Sequence, residues 1–197
     1  MEIKELGHLV LYVRDLQQSV HFYRDVLGWR QILPDRPGGD AMEVKELGHL
    51  VLYVRDLQRS AAFYRDVLGW RQLLPEDGDG TLPFPAAAFS APSGRTHHEL
   101  LLIEVGPDAT AIPAGRRVGM YHFGLKVGDS DDELREALHT IEAAGVNVVG
   151  ASDHTVTHSL YISDPDGNEI ELYIDVPGVD WRNDPALIAA PIKPLRL

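Results

Sequence analysis

A stretch of thirty-four residues occurs twice in this chain, almost unchanged. Residues 1–34 and 42–75 differ only at Ile3/Val44, Gln18/Arg59, Val20/Ala61, His21/Ala62 and Ile32/Leu73. Even the methionine is copied, as Met42. So close a copy is the mark of a recent tandem duplication or of an engineered insertion. It also sets a constraint on folding, because two segments with one set of preferences must find places in one molecule. Each copy reads as strand, helix, strand. In the second, Leu50, Leu52 and Val54 alternate as a strand does. Asp56 is placed to cap a helix whose apolar stripe is Leu57, Ala61, Tyr64 and Leu68, closed by Gly69. Asp35–Ala41, rich in Pro, Gly and Asp, reads as the linker between the copies.

A second repeat is architectural and weak in sequence. Residues 47–105 and 119–175 each read as strand, helix, strand, strand, strand. In the later unit Phe123, Leu125 and Val127 alternate. Ser130 and Glu133 form a capping box, Leu134, Leu138 and Ile141 make the stripe, and Gly145 ends the helix. The turn Asp164-Pro165-Asp166-Gly167-Asn168 leads into a last strand, Glu169–Asp175. The expected class is α+β, with the sheet curved around a cavity. The expected division is a duplicated segment and linker (1–41), a main domain (42–176) and an extended C-terminal arm (177–197) with four prolines.

Composition narrows the chemistry. The net charge of −12 argues against a nucleic-acid partner, whose phosphates require a basic surface. No apolar run reaches the length of a membrane span, and Met1–Glu5 carries mixed charge unlike a secretory leader, so a cytoplasmic protein is expected. There is no cysteine. Thiol catalysis and disulfides are therefore excluded, and His, Asp and Glu remain as the strong metal ligands.

Three strands carry a polar residue on the face opposite their apolar stripe. His49 lies opposite Leu50, Leu52 and Val54. His122 lies opposite Phe123, Leu125 and Val127. Glu171 lies opposite Ile170, Leu172 and Ile174. If the apolar stripes pack on helices, these three point to the concave side together. Two imidazoles and one carboxylate form a triad suited to Fe(II) and to Mn(II). A lone strand histidine is usually an ordinary polar residue, but three in one register point to a metal.

Leu47-Gly48-His49-Leu50-Val51-Leu52-Tyr53-Val54 with Phe63–Trp70, and Asp164–Tyr173 at the other end, resemble the opening and closing motifs of the vicinal oxygen chelate superfamily (glyoxalases, bleomycin-resistance proteins and extradiol dioxygenases). The resemblance spans residues 43–176. It implies paired βαβββ units around a metal cavity, with His49, His122 and Glu171 as ligands. Thr96–Leu102, and His154–His158 followed by Tyr161, are similar to segments of catechol-cleaving extradiol dioxygenases. That finer likeness implies His98 as a catalytic acid/base, and His154 and Tyr161 as hydrogen-bonding partners of the substrate. The implied activity is ring opening of an aromatic diol with O₂, with Fe(II) as the metal and Mn(II), Ni(II) or Zn(II) as alternatives. Glu99 carries the rival reading, since a carboxylate on this strand would be a fourth ligand in a glyoxalase-like isomerase or lyase. Adjacent residues of a strand cannot both face inward, so His98 and Glu99 exclude one another. A non-catalytic, drug-binding resistance protein is the third reading.

The second copy is expected to hold the place beside the later unit, because it directly precedes the remaining strands. His8, the twin of His49, is then either a replacement ligand or part of an incomplete site. The first copy, with an apolar stripe and strand edges uncovered, is expected to pack on a neighbouring subunit, giving a homodimer or larger assembly.

Overall fold

The computed structural model describes residues 1–38, 44–75 and 83–197; the second half of the linker, with Met42, lies outside them. Both units have the expected plan. In the first, β2 (Leu50–Val54), α2 (Leu57–Ala62, continued by a π-helical turn Phe63–Val67), β3 (Arg71–Leu74), β4 (Ala86–Ser90) and β5 (Leu100–Glu104) form a four-stranded sheet in the order β2-β5-β4-β3. In the second, β6 (Gly119–Gly128), α3 (Asp131–Ala143), β7 (Val148–Asp153), β8 (Thr157–Ser163) and β9 (Glu169–Asp175) take the matching order β6-β9-β8-β7. In each, the first strand pairs parallel with the last and the others pair antiparallel.

The caps form as their residues dictate. Asp56 accepts from Arg59 N at 2.9 Å, and Glu133 returns the contact from Ser130 Oγ at 2.9 Å. The turn before β9 ties the units together. Asp164 accepts from the amides of Asp166 and Asn168 and from the buried Tyr64 hydroxyl at 2.8 Å. Asp166 accepts from Arg55 N and Ser60 Oγ.

The duplicated segment departs from expectation. Its strand β1 (Glu5–Tyr12) pairs antiparallel with β6 and so extends the second unit's own sheet, to the order β1-β6-β9-β8-β7-β10. The place beside the second unit is thus filled by the first copy, while the second copy supplies the strand and helix of the first unit. Ile3 and Leu6 are buried in the common core. Beyond β1 the two copies part company. Helix α1 (Leu16–Val20) and its π-helical extension (His21–Val26) bury none of their residues. Phe22 and Trp29 are 48% and 42% exposed, where their twins Phe63 and Trp70 are 7% and 2% exposed. The reason is topological: α2 lies on β4 and β5, and among the described residues no third set of strands exists for α1 to cover. The C-terminal arm is also more ordered than its prolines suggest. It makes a 3₁₀ turn (Pro185–Ala189), and its strand β10 (Lys193–Pro194) joins the edge of β7. Leu195 and Leu197 rest against the core there.

The twin residues give an internal control. Tyr64→Phe removes the O–H donor to a buried oxygen of Asp164 and is expected to cost about 1–3 kcal/mol. Tyr23→Phe, on the half-exposed copy, is expected to stay within about 0.5 kcal/mol of the parent. Urea unfolding of the two variants measures the difference.

Candidate metal centre

Three side chains converge on the inner face of the six-stranded sheet. His8 comes from β1, His122 from β6 and Glu171 from β9. His8 Nε2 stands 2.9 Å from Glu171 Oε2, and His122 Nε2 stands 3.1 Å from the same oxygen. All three ligand atoms lie within 4.8 Å of one another. Bonds of about 2.0–2.2 Å to one ion put its donor atoms about 3 Å apart, so the donor set fits a divalent metal.

The surroundings are built to hold this arrangement. Ser159 Oγ donates to Glu171 Oε1 at 2.5 Å and fixes the carboxylate plane. Burial alone would raise the Glu171 carboxyl. The hydrogen bonds from His122, His8 and Ser159 outweigh it and hold the group well below the usual carboxylate range. His122 Nδ1 is buried with no hydrogen-bond partner among the described residues, and Glu169 Oε1 lies 3.7 Å away. A metal-bound histidine ordinarily donates its other N–H to a carboxylate, and Glu169 needs to close less than an ångström to serve. Gly124 is the Cα partner of His8, and a Cβ there would stand 2.1 Å from the His8 ring. The imidazole therefore reaches the site across the bare backbone of β6.

Beside the metal position, Tyr161 packs edge-on to His122 with centroids 5.7 Å apart. Its hydroxyl is 2.8 Å from His154 Nε2. Burial, then the charge of Glu171, pushes the Tyr161 phenol above its ordinary range and keeps it a donor. Tyr12 stacks on Tyr121 at 4.6 Å, and the Tyr121 ring in turn lies 4.6 Å from that of His122.

The structure thus brings together His122, Glu171, His154 and Tyr161 as the sequence grouped them. It does not bring in His49 or His98. His8 occupies the position assigned to His49, because β1 and not β2 lies against β6. His49 instead meets His98 and His97, with ring centroids 4.8 and 5.8 Å away. Burial, then the neighbouring imidazoles, lowers the His98 pKa below its ordinary value. Glu99 is fully buried, and its oxygens accept from Ala91 N, Leu6 N and Arg95. His158 turns to the helix side and meets Asp131 at 2.6 Å. Sequence reasoning missed Ser159 and Gly124. Ser159 was signalled by its place two residues from Tyr161, on the same face of β8. Nothing in the sequence signalled Gly124, because its role depends on the β1–β6 register.

With fold and site in hand, the chain is assigned to the glyoxalase/bleomycin resistance protein/dioxygenase superfamily, whose profile matches residues 5–42 and 46–172. Over 85 residues it is 41% identical to a catechol-2,3-dioxygenase of Bacillus subtilis, covering 43% of this chain and 29% of that protein. The chain thus spans less than a third of that relative's length. Two solved structures share the fold. A glyoxalase/dioxygenase from Nostoc punctiforme superposes with a TM-score of 0.53 at 22% identity, over 66% of this chain and 91% of the other. A genomically encoded fosfomycin resistance protein from Listeria monocytogenes gives 0.50 at 19% identity, over 68% and 96%. Among the described residues, no helix is long and apolar enough to cross a membrane.

Two outcomes test the geometry. Gly124→Ala is expected to leave the fold intact but to push the His8 ring aside, lowering the affinity for Co²⁺ by about tenfold or more by calorimetry. Glu171 also sets an acid limit on the metal-free protein. Its folded pKa lies below its ordinary 4.5, so the unfolded chain binds more protons in that window. Its stabilising contribution is complete above about pH 5 and drains away as the pH falls further. Glu171→Gln is expected to flatten this acid limb in urea titrations.

Proposed function

We propose that this protein is a metal-dependent extradiol dioxygenase that opens a catechol-type ring with O₂. The observation that carries the reading is the three-ligand set of His8, His122 and Glu171, with the His154–Tyr161 pair beside it. The partial likeness to a catechol-2,3-dioxygenase supports it. The rival four-ligand reading is disfavoured because Glu99 spends its carboxylate on Ala91 N, Leu6 N and Arg95.

Fe(II) is the metal this donor set suits best, with Mn(II), Ni(II) and Zn(II) as alternatives. Held by His8, His122 and Glu171, it would supply Lewis-acid chemistry that lowers the pKa of a bound diol. The chain's own residues do the rest. Glu171 stays ionised and keeps its lone pairs for the ion. Tyr161, held protonated, donates its O–H to a diol oxygen that has lost its proton. His154, in hydrogen-bond reach of that phenol, holds a proton at Nε2 or accepts one from the site. Tyr12 and Tyr121 present stacked rings against which an aromatic substrate can lie.

Anaerobic loading with Fe(II), followed by O₂ and a small panel of catechols, is expected to give the yellow ring-opened product. Tyr161→Phe is expected to lower kcat about a hundredfold while Fe(II) binding is kept. Absence of ring opening, together with Ni(II)- or Zn(II)-dependent action on a hemithioacetal, would replace this reading with the glyoxalase one.

A further inference from the structure

The two copies use one strand sequence in two places. Lys4–Gln17 and Lys45–Gln58 are identical, yet β1 pairs antiparallel with β6 while β2 pairs parallel with β5. Among the described residues, each strand therefore ends its sheet, and each leaves one edge without a partner strand. In β2 the groups turned to β5 belong to alternate residues: Leu50 N donates to Glu99 O, and Val54 O accepts from Val105 N. The opposite edge of β2 stands free, and its sequence is the one that β1 uses on β6. The face of β2 that would line the cavity is stranded in solvent, with Val51 42% and Tyr53 70% exposed. On β1, the twin Tyr12 is partly covered, stacked on Tyr121.

The two strands also lie within reach of one seat. Tyr12, at the end of β1, pairs with Gly119 at the start of β6. Arg55, just past the end of β2, donates its N–H to Asp166, three residues before Glu169, the Cα partner of His122 on β6. Both strands thus run the same way and finish at the same end of the six-stranded sheet. Leu6 N of β1 already reaches Glu99, the residue before β5. The first copy sits in the gap that β2 would close by joining β6 as well as β5.

We propose that the two copies compete for the edge of β6, so that the duplicated segment is an exchangeable occupant of the metal site. In one state β1 holds the edge and His8 completes the ligand set. In the other, β2 bridges β5 and β6, His49 takes the place of His8, and residues 1–12 are released. The exchange also changes what surrounds the metal position. His98 packs against His49, so it enters the site only with the second copy. The released state joins His98 to His154 and Tyr161, and the state with β1 bound keeps it apart. The duplicated segment then acts as an internal competitor that switches the acid/base group near the metal. The metal part of this inference rests on the function proposed above; the strand exchange does not.

The absence of cysteine makes the test unambiguous. Glu5 and Lys126 are Cα partners, and Glu46 is the twin of Glu5. The variant E5C/K126C is expected to close a disulfide readily under mild oxidation. The variant E46C/K126C is expected to close more slowly, within one chain by mass, and closure should make residues 1–12 sensitive to protease. If E46C/K126C stays reduced while E5C/K126C closes, the exchange is ruled out. Co²⁺ titration gives an independent reading. His8→Ala is expected to keep binding, weakened by the fraction of chains in the second state, about ten- to a hundredfold. The double variant H8A/H49A is expected to fall to the level of Glu171→Ala. If His8→Ala alone falls that far, His49 does not replace it and the proposal fails. Failure of the parent protein to take up Co²⁺ would remove the metal centre, and the crosslink would still decide the exchange.

Discussion

The antiparallel pairing of β1 with β6 is the contact on which the candidate site depends. It sets His8 opposite Gly124, where no side chain blocks the imidazole. It also decides which of two identical histidines shares the carboxylate with His122. A shift of one residue in this pairing would turn His8 to the other face of the sheet and leave Glu171 with one imidazole instead of two. The rest of the site is less sensitive. His122 and Glu171 come from neighbouring parallel strands, β6 and β9, whose relation is secured by the α3 crossover and its buried stripe of Leu134, Ala137 and Ile141.

The twin segments separate what local sequence dictates from what tertiary context adds. Both helices start at an aspartate that accepts from the third residue on, and both run on into a π-helical turn. Those features are local, and they appear in both copies. Burial is not local. The second copy covers Phe63, Tyr64, Leu68 and Trp70 because β4 and β5 lie beneath them, and among the described residues the first copy has no strands to set against the same side chains. A groove of about 760 Å³ remains beside α1, lined by Leu9, Leu11, Leu16, Tyr23 and Trp29, where the twin segment has a packed core. Propensity alone therefore specifies the elements, and the three following strands specify whether they fold into a unit.

Much of the fold is legible in the sequence. Strand alternation and the caps at Asp56 and Ser130 gave the βαβββ plan, because period and capping are properties of a few consecutive residues. The opposition of His122 and Glu171 to their apolar stripes marks two candidate ligands and the face they share. The choice between His8 and His49 was not legible, since identical sequences have identical local signals and only the competition for a strand edge distinguishes them. Adjacency to the remaining strands favours the second copy only through loop-closure entropy, which grows logarithmically with length. That small preference is readily overturned by the burial of Ile3 and Leu6, which the first copy gains by entering the core. Glu99 was equally hidden, because its partners Ala91 N and Leu6 N come from a loop and from the duplicated strand.

The balance between the copies follows from the same accounting. Exchange trades one set of β6 pairings for a nearly identical set, so backbone hydrogen bonding and the Tyr–Tyr stack are retained in either state. What differs is small and opposed. The bound first copy gains the burial of Ile3 and Leu6, while its helix leaves a row of apolar side chains in water. The bound second copy closes the gap between two sheets and covers Val51 and Tyr53, but it frees the whole first segment. Two states whose main interactions are copies of each other differ only in such residual terms, and a ligand that prefers one of them shifts the population by its differential affinity. A substrate that engages His98 would favour the second copy, and a metal held by His8 alone would favour the first. Under the proposed exchange, a duplication that looks redundant in sequence would give the candidate metal position two interchangeable sources for the same imidazole.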